Sequence, residues 1–208
     1  MNGTLAAIGG RTLVPPGRWQ VDPRHSNVEF EVNHLAITTV KGRFRDFEGA
    51  LDVDGVGGVR AHGSILVESL DTGAPERDAH LLSADFLDAD RHPEIRYALL
   101  ALRADGDRRA RALGELTIRG VTRQTVLDAT LAGTVRDPWG NERLGLELRG
   151  ALSRQDFGLA WNALLEGRAI VGDAVRLAIG LSLVRRALGL PPLDAPVAAA
   201  FRAKRTGM

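Results

Sequence analysis

Residues 19–47 read WQVDPRHSNVEFEVNHLAITTVKGRFRDF, in which apolar and polar residues alternate at period two, the chain turns over, and the alternation resumes. Successive side chains of a strand point to opposite faces, so this spacing gives a β-hairpin one apolar face and gives a helix no continuous stripe. Val28, Phe30 and Val32 take one face, and Glu29, Glu31 and Asn33 the other. Such a hairpin needs further strands to cover its apolar side.

The rest of the chain supplies them. Gly, Pro and Asx residues punctuate it at short intervals, and the segments between are mostly of period two, which is an all-β signature. Residues 40–53 read as one long strand with bends at Gly42 and Gly49, and residues 59–70 as another, Ile65 and Val67 sharing a face. Ile95, Tyr97, Leu99 and Ala101 alternate next, followed by an Asp-Gly-Asp turn and strands over 110–119 and 125–135. Asp137-Pro138-Trp139-Gly140-Asn141 is a turn by composition. The cleanest half-buried strands lie beyond it: Leu144, Leu146, Leu148 and Leu152 in one, Val175, Leu177, Ile179, Leu181 and Leu183 in the other. Only residues 76–82, ERDAHLL, break the pattern as a short helix after a Gly-Ala-Pro break.

About eight long strands with one apolar face each remove their edges by closing into an antiparallel barrel, whose interior is filled by side chains or holds one small ligand. Residues 1–17 read as a flexible lead-in, 18–186 as the barrel and 187–208 as a proline-containing tail with a basic end. The chain of 208 residues carries 27 Lys and Arg against 26 Asp and Glu, so no strong field recruits nucleic acid. Without cysteine it has no disulfide, thiolate metal site or thiol nucleophile. No apolar run is long enough for a transmembrane helix and the first twenty residues lack a secretory pattern, so the expected location is cytoplasmic.

Chemistry-bearing motifs are sparse. His25, His34, His62, His80 and His92 form no HxH or HExxH pair, so no metal site is read from them, and no cofactor is expected. Asp22, His25 and Ser26 look superficially like a nucleophilic set, but neighbours in a turn rarely have triad geometry; His25 is expected to hydrogen-bond within that turn. Asp85, Asp88 and Asp90 lack the Gly and terminal Glu of a calcium loop. Trp139, Phe157 and Trp161 serve equally as core plugs or as ligand contacts. A bore lined by Val, Leu, Ile and Phe selects a hydrocarbon chain by burial, although a solidly packed barrel satisfies the same pattern.

Four ordered blocks carry a resemblance: WQVDPRHSNVEFEVNHLAITTVKGRF, RDAHLLSADFLDADRHPEIRY, GELTIRGVTRQTVLDATLAG with DPWGNERLGLELRG, and LSRQDFGLAWNALLEGRAIVGDAVRLAIGLSLV. Over residues 18–185 the chain resembles the YceI-like family of lipocalin-like, polyisoprenoid-binding proteins. The resemblance implies an extended eight-stranded antiparallel barrel, with a short helical insertion, that binds, carries or sequesters a long isoprenoid lipid such as a quinone tail or polyprenyl chain, without catalysis. It also makes a homodimer and transient membrane contact expectations, with no interface located. Alternation nominates Phe30, Val32, Phe44, Ile65, Tyr97, Leu146, Leu148, Leu177 and Ile179 for the lining, and Leu81, Phe86, Phe157 and Trp161 for the mouth, with the helix at residues 76–82 as a lid. Two rivals stand beside this reading: an enzyme on a small hydrophobic substrate using His25, His34 or His80 as acid or base, and a ligand-free, stress-associated interaction module.

Overall fold

The computed structural model of the chain describes residues 3–4, 14–35, 37–165 and 168–186. The expected tail at 187–208, and most of the expected lead-in, lie outside the described residues. Within the lead-in, β1 (Gly3–Thr4) pairs with Gly58 and Val59, and Val14 is buried in the core, so packing begins upstream of Arg18.

The opening hairpin forms, but both of its strands are broken. Its first arm is β2 (Gly17–Val21) and β3 (Asn27–His34), and its second is β4 (Thr38–Phe44) and β5 (Phe47–Val53). Trp19 lies opposite Leu51 and Val28 opposite Phe44. The break in the first arm is the DPRHS sequence. Asp22 caps a 3-10 turn at Pro23–His25 by accepting from the Arg24 N–H, and His25 Nδ1 sits 2.8 Å from its carboxylate, as expected. Ser26 Oγ donates to the Asp22 carbonyl and accepts from the Ser182 N–H, so the serine ties this turn to the last strand. The break in the second arm falls at Arg45 and Asp46 rather than at Gly42 or Gly49, which stay within the ladder. Arg45 N–H bonds the Ser69 carbonyl, and the Asp46 carbonyl accepts from Leu66 N–H, drawing those two residues out of the hairpin.

β6 (Gly58–Leu66) ends sooner than residues 59–70 suggested: Val67–Ser69 is a 3-10 turn with Val67 buried, and β7 (Leu70–Asp71) follows it. α1 (Pro75–Leu82) stands where a helix was expected, with Pro75 in its first turn, Glu76 and Asp78 near its positive end and His80 near its negative end. Then come β8 (Glu94–Ala104), β9 (Arg109–Ile118), β10 (Val121–Arg136) and β11 (Glu142–Ser153), a run of antiparallel hairpins. Arg119 and Gly120, both at positive φ, make the tight turn from β9 to β10. A small hairpin of β12 (Leu164–Leu165) and β13 (Arg168–Ala169) precedes β14 (Val171–Arg186).

β14 is the seam. One edge pairs with β11 along most of its length, while the other pairs with β3 at its start and β2 at its end. The result is an eight-stranded antiparallel barrel, closed as the alternation implied. One end is sealed by Val14, Trp19, Val53, Val59, Leu144 and Leu183, with Trp19 fully buried and its indole N–H donating to the Pro15 carbonyl. At the other end β3 and β4 splay away from the ring, and β4 finds only the two-residue β7 as its second neighbour. α1, residues 83–93 and residues 154–163 belong to this end, so the one region without strand alternation sits where the barrel opens.

Candidate functional site

The inward faces enclose a cavity of about 530 Å³, well inside the ~300–1,000 Å³ range of small-molecule sites. β3 contributes Phe30 and Val32, β4 Phe44, β6 Ile65 and β8 Tyr97; β11 contributes Leu146 and Leu148, and β14 Leu177 and Ile179. Period-two alternation therefore brings all nine expected wall residues onto one cavity. The Phe30 and Phe44 rings meet at 5.7 Å, tilted by 40°, and the Phe30 ring lies across Gly42, where any larger residue would collide with it.

The mouth is built from segments whose periodicity reveals little. Leu81 from α1, Phe86 from the following loop and Trp161 all line the cavity. His80 joins them: its ring meets Trp161 edge-on at 4.6 Å and Phe86 at 5.2 Å, while Phe86 and Trp161 lie 5.1 Å apart. These three rings connect the helical insertion to the segment before β12. His80 Nε2 is also 3.2 Å from the Asp85 carboxylate. No residue of α1 is fully buried, so the helix rests on the opening rather than being embedded in the core.

Phe157, expected at the mouth, is elsewhere. It is 2% exposed and packs with Val67, Ile95, Leu116, Ile118 and Leu159. A 3-10 turn at Gln155–Phe157, ended by Gly158 at φ 74°, swings the ring into the core and leaves Trp161 to face the opening. Trp139 is neither core nor ligand contact: it is 80% exposed at the tip of the turn between β10 and β11, at the sealed end.

Arg154 carries no mark in the sequence pattern. It is 3% exposed, lines the cavity, and donates to four backbone carbonyls: Gly172 and Trp161 at 3.0 Å, Val171 at 3.3 Å, and Leu159. Burial lowers its pKa against the opposing influence of Asp173. One guanidinium thereby knots residues 157–161 to the start of β14, and Asn162 adds a reciprocal pair of bonds to Val171. The sole signal in the sequence is an arginine placed directly after an alternating strand, with Gln-Asp-Phe-Gly next in the chain.

His34, His62 and His80 line the cavity, whereas His25 stands outside it in the Asp22 turn, so two of the three histidines nominated for acid–base chemistry share the cavity. Outside the bore, Arg143 bridges Asp22 at 2.9 Å and Asp137 at 2.8 Å, linking the opening turn to the turn between β10 and β11. Burial alone would raise the Asp137 pKa; hydrogen bonds from Arg143, Asn141 and the Trp139 and Asn141 amides outweigh it and hold the group at about 2. Among the described residues, no three His, Asp or Glu side chains gather as a metal site requires.

The family model for the YceI-like domain matches residues 19–183. A UPF0312 protein of Pectobacterium atrosepticum is 34% identical over 158 residues, which is 75% of this chain and 82% of that one. The crystal structure of the Campylobacter jejuni YCEI protein superposes with a TM-score of 0.65 at 27% identity, covering 74% of this chain and 90% of the other. A polyisoprenoid binding domain from Saccharophagus degradans, implicated in plant cell wall breakdown, shares the fold with a TM-score of 0.59 at 15% identity over 81% of this chain and 98% of its own. With a family model spanning most of its length and a relative of this identity and coverage, the chain belongs to the YceI-like family.

Proposed function

We propose that the protein binds a long isoprenoid lipid, such as a quinone tail or polyprenyl chain, in its bore, and that it carries or sequesters that lipid without transforming it. The carrying observation is the apolar cavity itself, walled by inward strand faces and open toward one end. Each CH₂ moved from water into such a bore contributes about 0.8 kcal/mol, so a few isoprene units suffice for useful affinity. The structural likeness to a polyisoprenoid binding domain supports the same reading. α1 serves as the lid, since it packs lightly over the opening and holds Leu81 and His80 against it.

Titration with a polyprenyl alcohol tests this directly. Saturable binding of one chain per barrel is expected, and Leu148→Trp, which fills the bore from β11, is expected to weaken it at least tenfold while the thermal transition persists. Unchanged affinity in that variant would remove the bore as the binding site. An acid–base enzyme is the second reading, favoured by His34 and His80 on one cavity and by the His80–Asp85 contact. It requires turnover of a small hydrophobic substrate that His80→Asn abolishes while binding survives.

A further inference from the structure

The barrel wall is not paired along its whole height. β6 and β8 form a ladder from Leu66 and Glu94 to His62 and Ala98, and then they part. Each keeps its other neighbour past that point: β6 stays on β5 as far as Val59, and β8 stays on β9 as far as Ala104. The register of β8 against β9 shifts between Leu99 and Ala101, a bulge that bends the strand where the parting begins. Among the described residues, the edge of β8 that faces β6 carries no strand beyond Ala98. An exposed edge of this kind is normally covered or blunted.

β1 is the cover. Gly3 and Thr4 pair with Val59 and Gly58 on the edge of β6 that β8 has left, and β1 also lies against β8 without forming a ladder with it. A strand set between two others holds them apart by about twice the usual strand spacing, so lifting β1 leaves a slit wide enough for one hydrocarbon chain. The slit leads into the bore: Val59 and Ala61 on one margin, and Leu99, Leu102 and Ala104 on the other, line the cavity. This closure is lightly built. Its ladder is two residues long, Gly3 brings no side chain to its place opposite Val59, and Ala61 and Ala104 are small. Elsewhere at the same end, Trp19, Leu144 and Leu183 fill the barrel with large buried side chains. Local opening costs least where hydrogen bonds and apolar contacts are fewest.

We propose that the seam between β6 and β8 is a second, lateral way into the bore, and that β1 is the strap that closes it. A lipid chain passes there sideways once β1 lifts. This deepens the lipid-binding reading above and rests on it, since it says how the lipid of that same bore enters and leaves. The strap is closed on the empty and on the loaded barrel alike, so loosening it speeds uptake and release together and leaves affinity in place.

The test measures uptake and release of a fluorescent polyprenyl lipid by the full-length protein. In a variant with Gly3→Pro and Thr4→Pro, β1 has no N–H to donate to β6. Both rates are expected to rise about fivefold, the worth of one net backbone hydrogen bond, at unchanged affinity. A second variant holds the slit shut. The chain has no cysteine, and Arg60 and Arg103 are exposed on the two margins, so Arg60→Cys with Arg103→Cys supplies the two thiols for a bismaleimide with a reducible linker that spans β1. Bridging is expected to slow uptake and release, and reduction of the linker to restore them. Rates unchanged in either variant overturn the proposal, as does an affinity that falls while the rates hold, which would make β1 a fixed part of the wall. Failure of the wild-type protein to bind the lipid at all would instead overturn the lipid-binding reading, and this inference with it.

Discussion

Replacing Arg154 by Met is expected to damage the protein more than any change on the outer face of the barrel. Methionine keeps most of the buried length, so little cavity opens; what is lost is the donor to the carbonyls of Leu159, Trp161, Val171 and Gly172. Hydrogen bonds to a charged group are worth roughly 1.5–3 kcal/mol each, which sets a gross loss of roughly 6–12 kcal/mol. Relief from burying the guanidinium returns several kcal/mol of that, leaving about 3–5 kcal/mol net. In a chain of this size each kcal/mol moves Tm by about 2–4 °C, so the expected fall is about 6–20 °C. Urea unfolding would measure the free energy, and hydrogen exchange at residues 155–162 would locate the loss, since those amides should lose protection before the strands do. Arg154→Lys should rescue little, because one compact ammonium cannot reach carbonyls spread over two segments. A loss below about 1 kcal/mol, or full rescue by Lys, would refute the view that this guanidinium organises the mouth.

The same geometry sets other expectations. Leu81→Asp places a charge on the underside of α1 at the opening, and should slow lipid uptake and weaken retention in a fluorescent-lipid exchange assay; unchanged rates would remove α1 as the lid. Gly114→Ala should force the Tyr97 ring off β9 into the bore, costing roughly 1–3 kcal/mol by overpacking and lowering lipid affinity, which calorimetry and titration would show; wild-type behaviour in both would contradict the placement of that ring. Asp137, with its pKa held at about 2, and Asp22, lowered by Arg143 and His25 against the raising effect of burial, contribute stability above their unfolded pKa near 4, and lose it as pH falls through their folded values. The stability gap between wild type and Arg143→Met should therefore be larger near neutral pH than at about pH 2, measured by urea midpoints; a gap independent of pH would show that the ion pairs are not its source.

Period-two alternation reveals which side of a strand is inward without knowledge of its neighbours, because one rotation rule applies to every residue. That is why Phe30, Leu146, Leu177 and Ile179 fall on one wall from the sequence alone. The breaks are less legible. The interruption at Arg45 and Asp46 is made by partners far along the chain, Leu66 and Ser69, so no local signal announces it, whereas Gly42 serves a different need, room for the Phe30 ring. Phe157 and Trp161 are indistinguishable in sequence as aromatics near a glycine; only the direction of the turn ended by Gly158 sorts one into the core and the other to the mouth. Arg154 is invisible for a related reason. A buried arginine satisfied by carbonyls, with Asp173 only an electrostatic influence nearby, makes no ion pair that spacing could reveal.

The mass of what co-purifies with the protein tests the central claim most directly. Native mass spectrometry of gently purified protein is expected to show a species heavier than the bare chain by one isoprenoid lipid, with organic extraction releasing a polyprenyl compound of matching mass. Repeated recovery of the bare chain alone, together with no uptake when isoprenoid lipid is supplied, would contradict the account and leave the cavity without the role assigned to it.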